Sequence, residues 1–258
     1  MAANFKGKAR KARWRLIGIG TAALAAVVLG GAVAVTGLTQ DGGRDGVTGD
    51  GPRKKTPTTS GSSSAPASAT TEFTPATAPA VKLLKPSTNE HGIGTGFEHS
   101  GLGATSAAVT YWEDLDILDD VIARKQLTAI TSKDSSDSVD RGVSNVRKVR
   151  EAAGLAPSGG TPDGLSFSTE VKAVWIRSLN TSGDVVQVWM VYDRFATIRD
   201  KAGDDNPLKG ETVGVILKWQ AGDWKLTEEP QYKKTGPRAY ASDSKWAFMD
   251  GWRMVSDV

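Results

Sequence analysis

The sequence predicts an α+β domain that follows a transmembrane helix and a linker. Two patterns indicate the class: apolar residues recur every three to four positions up to residue 153, and every second position from residue 165. A third observation is the uncharged, mostly apolar run from Leu16 to Leu38. Helices followed by strands favour three helices packed on one face of a curved antiparallel sheet.

Charge is distributed unevenly along the chain. The first 15 residues hold six Lys or Arg residues and no acid, whereas residues 81–258 hold 22 basic and 25 acidic residues. The net charge of +3 therefore comes from the N-terminal tail. A mildly acidic domain lacks the basic stripe that neutralises phosphates, so we expect no direct nucleic-acid binding by the folded domain.

Residues 16–38 form the predicted transmembrane helix. These 23 residues would extend about 34 Å as a helix, and a hydrocarbon core is about 30 Å thick. The basic tail at 1–15 favours a cytoplasmic N-terminus and an extracytoplasmic location for everything after residue 38. The alternative is a cleaved signal peptide, because Ala32-Val33-Ala34 resembles a cleavage site, but the apolar run exceeds the usual length of about 7–15 residues.

Small residues spaced four apart would share one ridge of this helix. They are Gly18, Ala22, Ala26, Gly30 and Ala34. Such a ridge lets two membrane helices approach closely, which makes it a candidate surface for a homo-oligomer. Since Gly, Ala and Thr form over half of the segment, the same spacing would also often arise by chance.

Residues 39–80 are predicted to be a disordered linker, because Gly, Ser, Thr, Pro and Ala dominate and cannot bury enough apolar surface to fold. A flexible coil of this length spans about 35–40 Å, which would keep the domain near the membrane. The extracytoplasmic domain is expected at 81–258, with its core at 101–230. Residues 81–100 are expected to enter it as an extended arm.

Three helices are expected first in the domain. Helical spacing places them at about Leu102–Tyr111, Glu113–Ala123 and Val139–Ala153, with Gly154 positioned to end the third. The second includes five acidic residues between positions 113 and 120. We expect a solvated helix face there, because the run lacks the calcium-loop pattern.

Four strands are expected next, joined by turns rich in Gly, Asn and Asp. Their predicted bounds are Leu165–Leu179, Val185–Thr197, Val213–Trp219 and Trp224–Leu226. Such strands indicate an antiparallel meander. The remaining segment, Tyr232–Val258, is expected to contain a final helix that docks on the domain.

The element order resembles the nuclear-transport-factor-like cone fold. The resemblance covers residues 101–230 and includes the turn Trp219-Gln-Ala-Gly-Asp-Trp224-Lys-Leu, which is similar to a W-x-x-G-x-W-x-hydrophobic turn in that superfamily. It implies a curved sheet that encloses a cavity. In cone-fold enzymes a carboxylate in such a cavity accepts a proton.

A second resemblance is more local. Gly96-Phe97-Glu98-His99-Ser100, followed by Gly103-Ala104 and Ala107-Ala108, is similar to a pattern in membrane-anchored actinobacterial proteins of conjugative elements. The layout of basic tail, single helix, linker and domain also resembles the bitopic scaffold subunit of type IV secretion systems. This resemblance implies a non-enzymatic partner of other secretion subunits at the cell membrane.

The candidate cavity or partner contacts are His99, Trp112, Trp189, Asp193 and Trp219. The chain has two histidines and no cysteine, so it lacks a His cluster for metal binding, and thiolate catalysis and disulfides are excluded. No cofactor or catalytic residue is predicted. We expect His99 to hydrogen-bond the start of the first helix, and the tryptophans to line the core first and a partner groove second.

Three functional hypotheses follow from these features. The first is a structural subunit of a conjugation or type IV secretion-like apparatus. The second is an envelope module that binds a small apolar ligand or wall component in the cone cavity. The third is a dehydratase- or isomerase-type enzyme with Asp193 as proton acceptor, for which pairing with a neighbouring Arg or exposure at an edge is the simpler alternative.

Overall fold

The computed structural model of the protein describes residues 77–198, 204 and 207–256. It confirms the predicted α+β class, because three helices come before the long strands of a curled six-stranded sheet. The helices of this part are α1 (Gly101–Asp114), α2 (Asp120–Ile130), α3 (Asp137–Ala152) and the short α4 (Lys245–Met249), with 3-10 turns at Lys133–Ser135 and Pro230–Tyr232.

The strands are long in the middle of the sheet and short at its edges. They are β1 (Val81–Lys82), β2 (Thr88–Glu90), β3 (Ile93–Thr95), β4 (Leu165–Ser178), β5 (Val185–Ile198), β6 (Leu208–Gln220), β7 (Asp223–Leu226) and β8 (Arg253–Ser256). The main sheet has the order β1-β8-β4-β5-β6-β7, and β2 and β3 form a separate hairpin. All neighbours in the main sheet pair antiparallel except β1 and β8, which pair parallel. The predicted arm at 81–100 thus contains three short strands.

Helix α1 begins one residue before the predicted Leu102 and ends three residues after the predicted Tyr111. The Ser100 hydroxyl accepts a hydrogen bond from the N–H of Gly103 at 2.9 Å, which caps the first turn. Alanines at positions 104, 107 and 108 are fully buried, so the helix lies close to the sheet. Position 115 adopts an extended conformation and ends the helix.

The second helix lies seven residues further along than predicted. The Asp116 carboxylate accepts hydrogen bonds from the N–H groups of Leu118 and Asp119, which folds residues 115–119 into a turn. The Asp119 side chain then accepts from Val121 and Ile122 at 2.9 Å and caps α2. The prediction failed because these aspartates satisfy backbone donors instead of extending a helix.

The acidic run is therefore not a solvated helix face. Asp120 is only 2% exposed and accepts hydrogen bonds from Arg147 Nε, from the N–H of Gly159 at 2.9 Å and from the Ser158 hydroxyl. Burial by itself would raise the pKa of Asp120. The hydrogen bonds and the charge of Arg147 outweigh burial and hold that pKa at about 2.

Both faces of the sheet are buried. On β5, Val188 and Met190 point to the inner face and pack against the helices, whereas Trp189 and Val191 point to the outer face. The outer-face cluster also contains Ala173, Ala247 and Trp252, with Trp175, Tyr240 and Met254 packed against it. The sheet is thus a middle layer between the helices and the C-terminal segment.

The C-terminal segment (residues 227–256) crosses the outer face, and the final helix predicted within Tyr232–Val258 is reduced to the five residues of α4. Gly236 and Pro237 precede α4 and interrupt any longer helix. A turn at Gly251, with φ of +95°, then directs the chain back to the sheet. Strand β8 inserts between β1 and β4, which joins the two ends of the domain.

Several predictions lie outside the described residues. They are the basic tail (1–15), the transmembrane helix (16–38) with its ridge at Gly18, Ala22, Ala26, Gly30 and Ala34, and the disordered linker up to residue 76. Within the part of the chain that the structure describes, no helix combines the length and apolar character that spanning a bilayer requires.

Substitution Gly236→Ala should destabilise the domain, because a methyl group there would overlap the Trp189 ring. We expect the free energy of unfolding to fall by about 1–3 kcal/mol, measured by urea denaturation of the full chain. Gly101→Ala is the matched control, since its methyl group would meet only Ile176 Cδ1 at 3.8 Å. Equal stability of the two variants would show that the Trp189 ring can move to accommodate a methyl group at position 236.

Substitution Asp120→Asn should remove a pH-dependent contribution to stability. The pKa of Asp120 is lower in the folded protein than its ordinary value of 3.8, so the contribution is present above that value and disappears as the pH falls toward 2. We expect Asp120→Asn to cost about 1–3 kcal/mol at pH 7 and progressively less below about pH 4. Asp140→Asn, which breaks the exposed Arg124 ion pair, should cost under about 1 kcal/mol. A pH-independent loss for Asp120→Asn would contradict this assignment.

Candidate functional site

The most unusual polar group of the domain is the guanidinium of Arg194, on the inner face of the sheet. Arg194 is 3% exposed, and its Cζ atom lies 5.1 Å from the ring centroid of Trp112 and 5.4 Å from that of Tyr192. The two rings contact each other edge to face at 5.1 Å. Arg194 Nε donates to the Thr169 hydroxyl at 2.8 Å. We call Arg194, Trp112, Tyr192 and Thr169 the inner-face cluster.

Strand alternation places Arg194 on this face. Residues 186, 188, 190 and 192 of β5 point into the inner core, so residue 194 continues the same row. Thr169 of β4 is its direct partner in the register. Trp112 reaches the cluster from the last turn of α1. A cation thus lies at the end of an otherwise apolar row.

No contact with a described residue neutralises the charge of Arg194. Among the described residues, none forms an ion pair with it, and its Nη1 atom has no hydrogen-bond partner. Burial lowers the pKa of Arg194, because desolvation disfavours the charged form. Burial also raises the pKa of Tyr192 and of Glu211, whose carboxyl acts on Tyr192 through its charge.

A separate cleft lies between the turn after α1 and the start of β4, and its walls include no residue of the inner-face cluster. Its volume is about 330 Å³, and its walls include Glu113, Asp114, Leu165 and Phe167. Phe167 stands two residues before Thr169 on the same strand, so the two side chains point to the same face. Burial raises the pKa of Asp114, although its hydrogen bond from the N–H of Gly94 opposes that effect.

His99 and Trp219 come together at the opposite end of the sheet. Their rings stack at 4.4 Å with planes 10° apart, and His99 Nε2 lies 2.8 Å from Asp184 Oδ1. Both side chains of this contact are exposed to solvent by more than a third. The expectation that His99 bonds to the helix start was wrong, because Ser100 is the cap. The His99 ring also contacts Trp224 at 5.6 Å, and its contact with Asp184 anchors the hairpin turn before β5.

The other candidate residues have structural contacts. Trp189 lies in the outer-face cluster, not in a cavity. Asp193 accepts a hydrogen bond from the N–H of Gly210 at 2.8 Å, at a bulge where β6 has one extra residue opposite β5. Gly210 has φ of +66°, which the bulge requires. Because Asp193 points away from the inner face that carries Tyr192 and Arg194, the dehydratase hypothesis loses its proton acceptor.

The five predicted contacts therefore belong to four separate places in the fold. Only Trp112 belongs to the inner-face cluster. Sequence reasoning missed Arg194, Thr169 and Tyr192, although the alternation of β5 offered a signal, since an arginine continues an apolar row. Among the described residues, no group of three His, Cys, Asp or Glu side chains is positioned to hold a metal ion.

Comparison with known proteins returned no match: no family model fits the chain, and no curated protein or solved structure resembles it significantly.

Substitution Asp193→Ala should cost about 1 kcal/mol of unfolding free energy, because the N–H of Gly210 loses its acceptor. Asp193→Asn should cost less, since an amide oxygen accepts the same bond. Urea denaturation of the full chain measures both. Equal losses for the two variants would show that the carboxylate charge, and not the bulge contact, is what matters at this position.

Proposed function

We propose that this protein is a membrane-anchored, non-enzymatic subunit of a conjugation or type IV secretion-like apparatus. The uncharged run at 16–38 is the anchor in this proposal, and the linker holds the α+β domain outside the cell membrane. The domain adopts the cone fold, with the curled sheet around the inner core. Its task is to bind other protein subunits of the apparatus.

The observation that carries the proposal is an exposed apolar pair on α4. Trp246 is 54% exposed and Met249 is 70% exposed, although both are large apolar side chains. Lys245 Nζ lies 4.9 Å from the Trp246 ring centroid. Trp and Met are enriched at protein interfaces, where a buried aromatic residue can supply much of the binding energy. We call Lys245, Trp246 and Met249 the α4 patch.

The edges of the sheet favour contacts through side chains over strand addition. The outer edge of β7 is paired at its end, where the N–H of Ser132 donates to the carbonyl of Leu226 at 2.8 Å, and the Lys225 side chain reaches across it to the carbonyl of Ala129 at 2.8 Å. At the other edge, β1 is only two residues long. Short or covered edges offer a partner strand few free backbone groups. A partner would therefore bind a face of the domain, and the α4 patch is exposed on one.

The second candidate function is an envelope module that binds a small ligand. The cleft of about 330 Å³ beside Phe167 is the observation that favours it, because its volume is in the lower part of the range for small-molecule sites, about 300–1,000 Å³. Its walls combine apolar side chains with carboxylates. In this alternative the α4 patch has no role in binding partners.

The test is DNA transfer by a donor strain that carries the conjugative element. We expect in-frame deletion of the gene to abolish transfer and the full-length gene to restore it. The double variant Trp246→Ser/Met249→Ser should lower transfer by at least about tenfold, as for loss of an interface hot spot. Val121→Ser, which removes a similarly exposed apolar side chain from α2, is the matched control and should transfer normally.

Two outcomes would contradict the proposal. Undiminished transfer after deletion, with normal assembly of the machinery, would reject the structural role. Normal transfer by the Trp246→Ser/Met249→Ser variant would reject the α4 patch as the contact surface. Membrane levels of each variant, measured by immunoblot, ensure that a loss of transfer does not come from degradation.

A further inference from the structure

The C-terminal layer of the domain is basic, although the domain as a whole is mildly acidic. Residues 230–256 hold five Lys or Arg residues and two Asp residues, whereas residues 81–229 hold 17 basic and 22 acidic residues. Arg177 of β4 joins this layer, because its Nη2 atom donates to the carbonyl of Thr235 at 2.8 Å. The overall charge therefore conceals a local excess of positive charge on the outer face.

The cations of this layer are held mainly by aromatic rings. We call them the basic outer surface: Arg177, Lys233, Lys234, Arg238, Lys245 and Arg253. Four of their cationic groups lie between 4.3 and 5.5 Å from a ring centroid, and the rings are those of Trp175, Tyr240, Trp246 and Phe248. Aromatic faces attract a cation without neutralising its charge. These contacts position the cations and leave their charge available to a partner.

No described carboxylate forms an ion pair with the basic outer surface. The ion pairs of the described residues use other cations, such as Arg147 with Asp120 and Lys218 with Glu229. The side chains at 233, 234 and 245 are also exposed. An acidic partner could approach these charges without displacing a carboxylate of the domain itself, so the attraction would not be offset by a broken ion pair.

The basic outer surface borders the α4 patch. Lys245 belongs to both, and Arg253 Nη1 donates to the carbonyl of Phe248 within α4 at 3.1 Å. Trp175, the ring beside Arg177, donates from Nε1 to the carbonyl at position 250, directly after α4, at 3.0 Å. The exposed apolar pair of the α4 patch therefore lies among basic side chains. An apolar centre with a charged rim is typical of a protein–protein interface.

We propose that the α4 patch and the basic outer surface together bind an acidic surface of another protein subunit. This inference rests on the proposed scaffold function, because it names the chemistry of the partner that the α4 patch contacts. Trp246 and Met249 would fill an apolar recess of the partner, and the surrounding cations would pair with its carboxylates. The opposite charges would also steer the partner toward the patch.

Two carboxylates beside α4 favour a protein over a lipid bilayer or a nucleic acid. Asp243 and Asp250 lie on either side of the helix and are exposed. The Tyr240 hydroxyl donates to the Asp250 carboxylate and fixes its position. A plane of anionic head groups or a row of phosphates would repel both carboxylates, because all its charges are negative. A protein surface can place a basic or neutral group opposite each Asp and acidic groups opposite the lysines.

The test is binding of an acidic polypeptide to the full chain, held in nanodiscs of neutral phosphatidylcholine. The probe is a fluorescent random copolymer of Glu and Tyr that is rich in Glu, so it offers both carboxylates and aromatic rings. We expect fluorescence anisotropy to show saturable binding that weakens as the salt concentration rises, because salt screens exposed charges. Single-stranded oligothymidylate and phosphatidylglycerol vesicles represent the nucleic acid and the anionic bilayer, and both should bind more weakly.

Variants link this binding to the proposed surface. Lys233→Glu/Lys234→Glu/Lys245→Glu should weaken binding of the copolymer by at least about tenfold, because it reverses three exposed charges at the contact. Trp246→Ser/Met249→Ser keeps every charge and should also weaken binding by at least about tenfold. If the triple variant does not fold, Gln at the same three positions removes the charges without reversing them and takes its place.

The matched control reverses three exposed lysines on and between α2 and α3. Lys125→Glu/Lys133→Glu/Lys148→Glu makes the same change in net charge away from the proposed surface. It should bind the copolymer within about twofold of the wild type, since salt screens charges that are distant from the contact.

DNA transfer separates this inference from the proposed function. The triple variant at 233, 234 and 245 should lower transfer by at least about tenfold, and the control triple variant should transfer normally. If Trp246→Ser/Met249→Ser lowers transfer and the triple variant does not, the α4 patch keeps its role and the acidic partner is rejected. Undiminished transfer after deletion of the gene would reject the scaffold role, whereas weaker copolymer binding by the triple variant would still support a docking surface for acidic proteins.

Three binding results would overturn the proposal. The first is a wild-type chain that shows no saturable binding of the copolymer. The second is equal weakening by the two triple variants, which would show that net charge alone decides binding. The third is binding of oligothymidylate or of the vesicles at least as tight as that of the copolymer, which would identify a nucleic acid or a bilayer as the partner.

Discussion

Burial of both faces of the β4–β5–β6 sheet is the interaction on which the rest of this structure depends. An antiparallel sheet usually has one solvated face, and its strands then alternate between apolar and polar residues. Here Val188 and Met190 of β5 face the helices, whereas the alternate residues Trp189 and Val191 face the C-terminal segment. Two apolar faces require two covering layers, and α1 to α3 can provide only one of them.

The C-terminal segment provides the second layer, and its path follows from this requirement. Trp189 is the centre of the outer-face cluster, with Gly214 beneath it on β6 and Gly236 of the segment against its ring. The segment cannot become a long helix and still pass this close to the sheet. It ends as β8 between β1 and β4, so the first strand of the domain pairs with the last. In the proposed arrangement, the strand that follows the membrane tether is therefore held by residues from the far end of the chain.

The inner-face cluster differs from other buried polar groups of the domain in its hydrogen bonding. Two other buried polar groups have several hydrogen bonds each: Asp120 accepts from three different residues, and Arg150 donates to three carbonyls. Tyr111 donates to the carbonyl of Trp224 at 2.7 Å and ties α1 to β7. By contrast, Arg194 Nη1 and Trp112 Nε1 have no hydrogen-bond partner among the described residues, and the same is true of Trp189 Nε1 in the outer-face cluster.

The sequence by itself determined the class of the domain and the position of its longest elements. Strand β4 was predicted at Leu165–Leu179 and is found at Leu165–Ser178, and β5 was predicted at Val185–Thr197 and is found at Val185–Ile198. These segments have strong local periodicity, which reports burial directly. The second helix was misplaced because aspartate side chains compete for backbone donors, and that competition does not alter the apolar spacing.

Only the tertiary structure decided which distant segments meet. Parallel pairing of β1 with β8, the stacking of His99 on Trp219 and the position of Trp112 beside Arg194 all join residues that are far apart in the chain. Periodicity states that a residue is buried, but it does not state what covers it. The environment of Arg194 depends on a helix and two strands at once, so its open donor could be recognised only when the three were assembled.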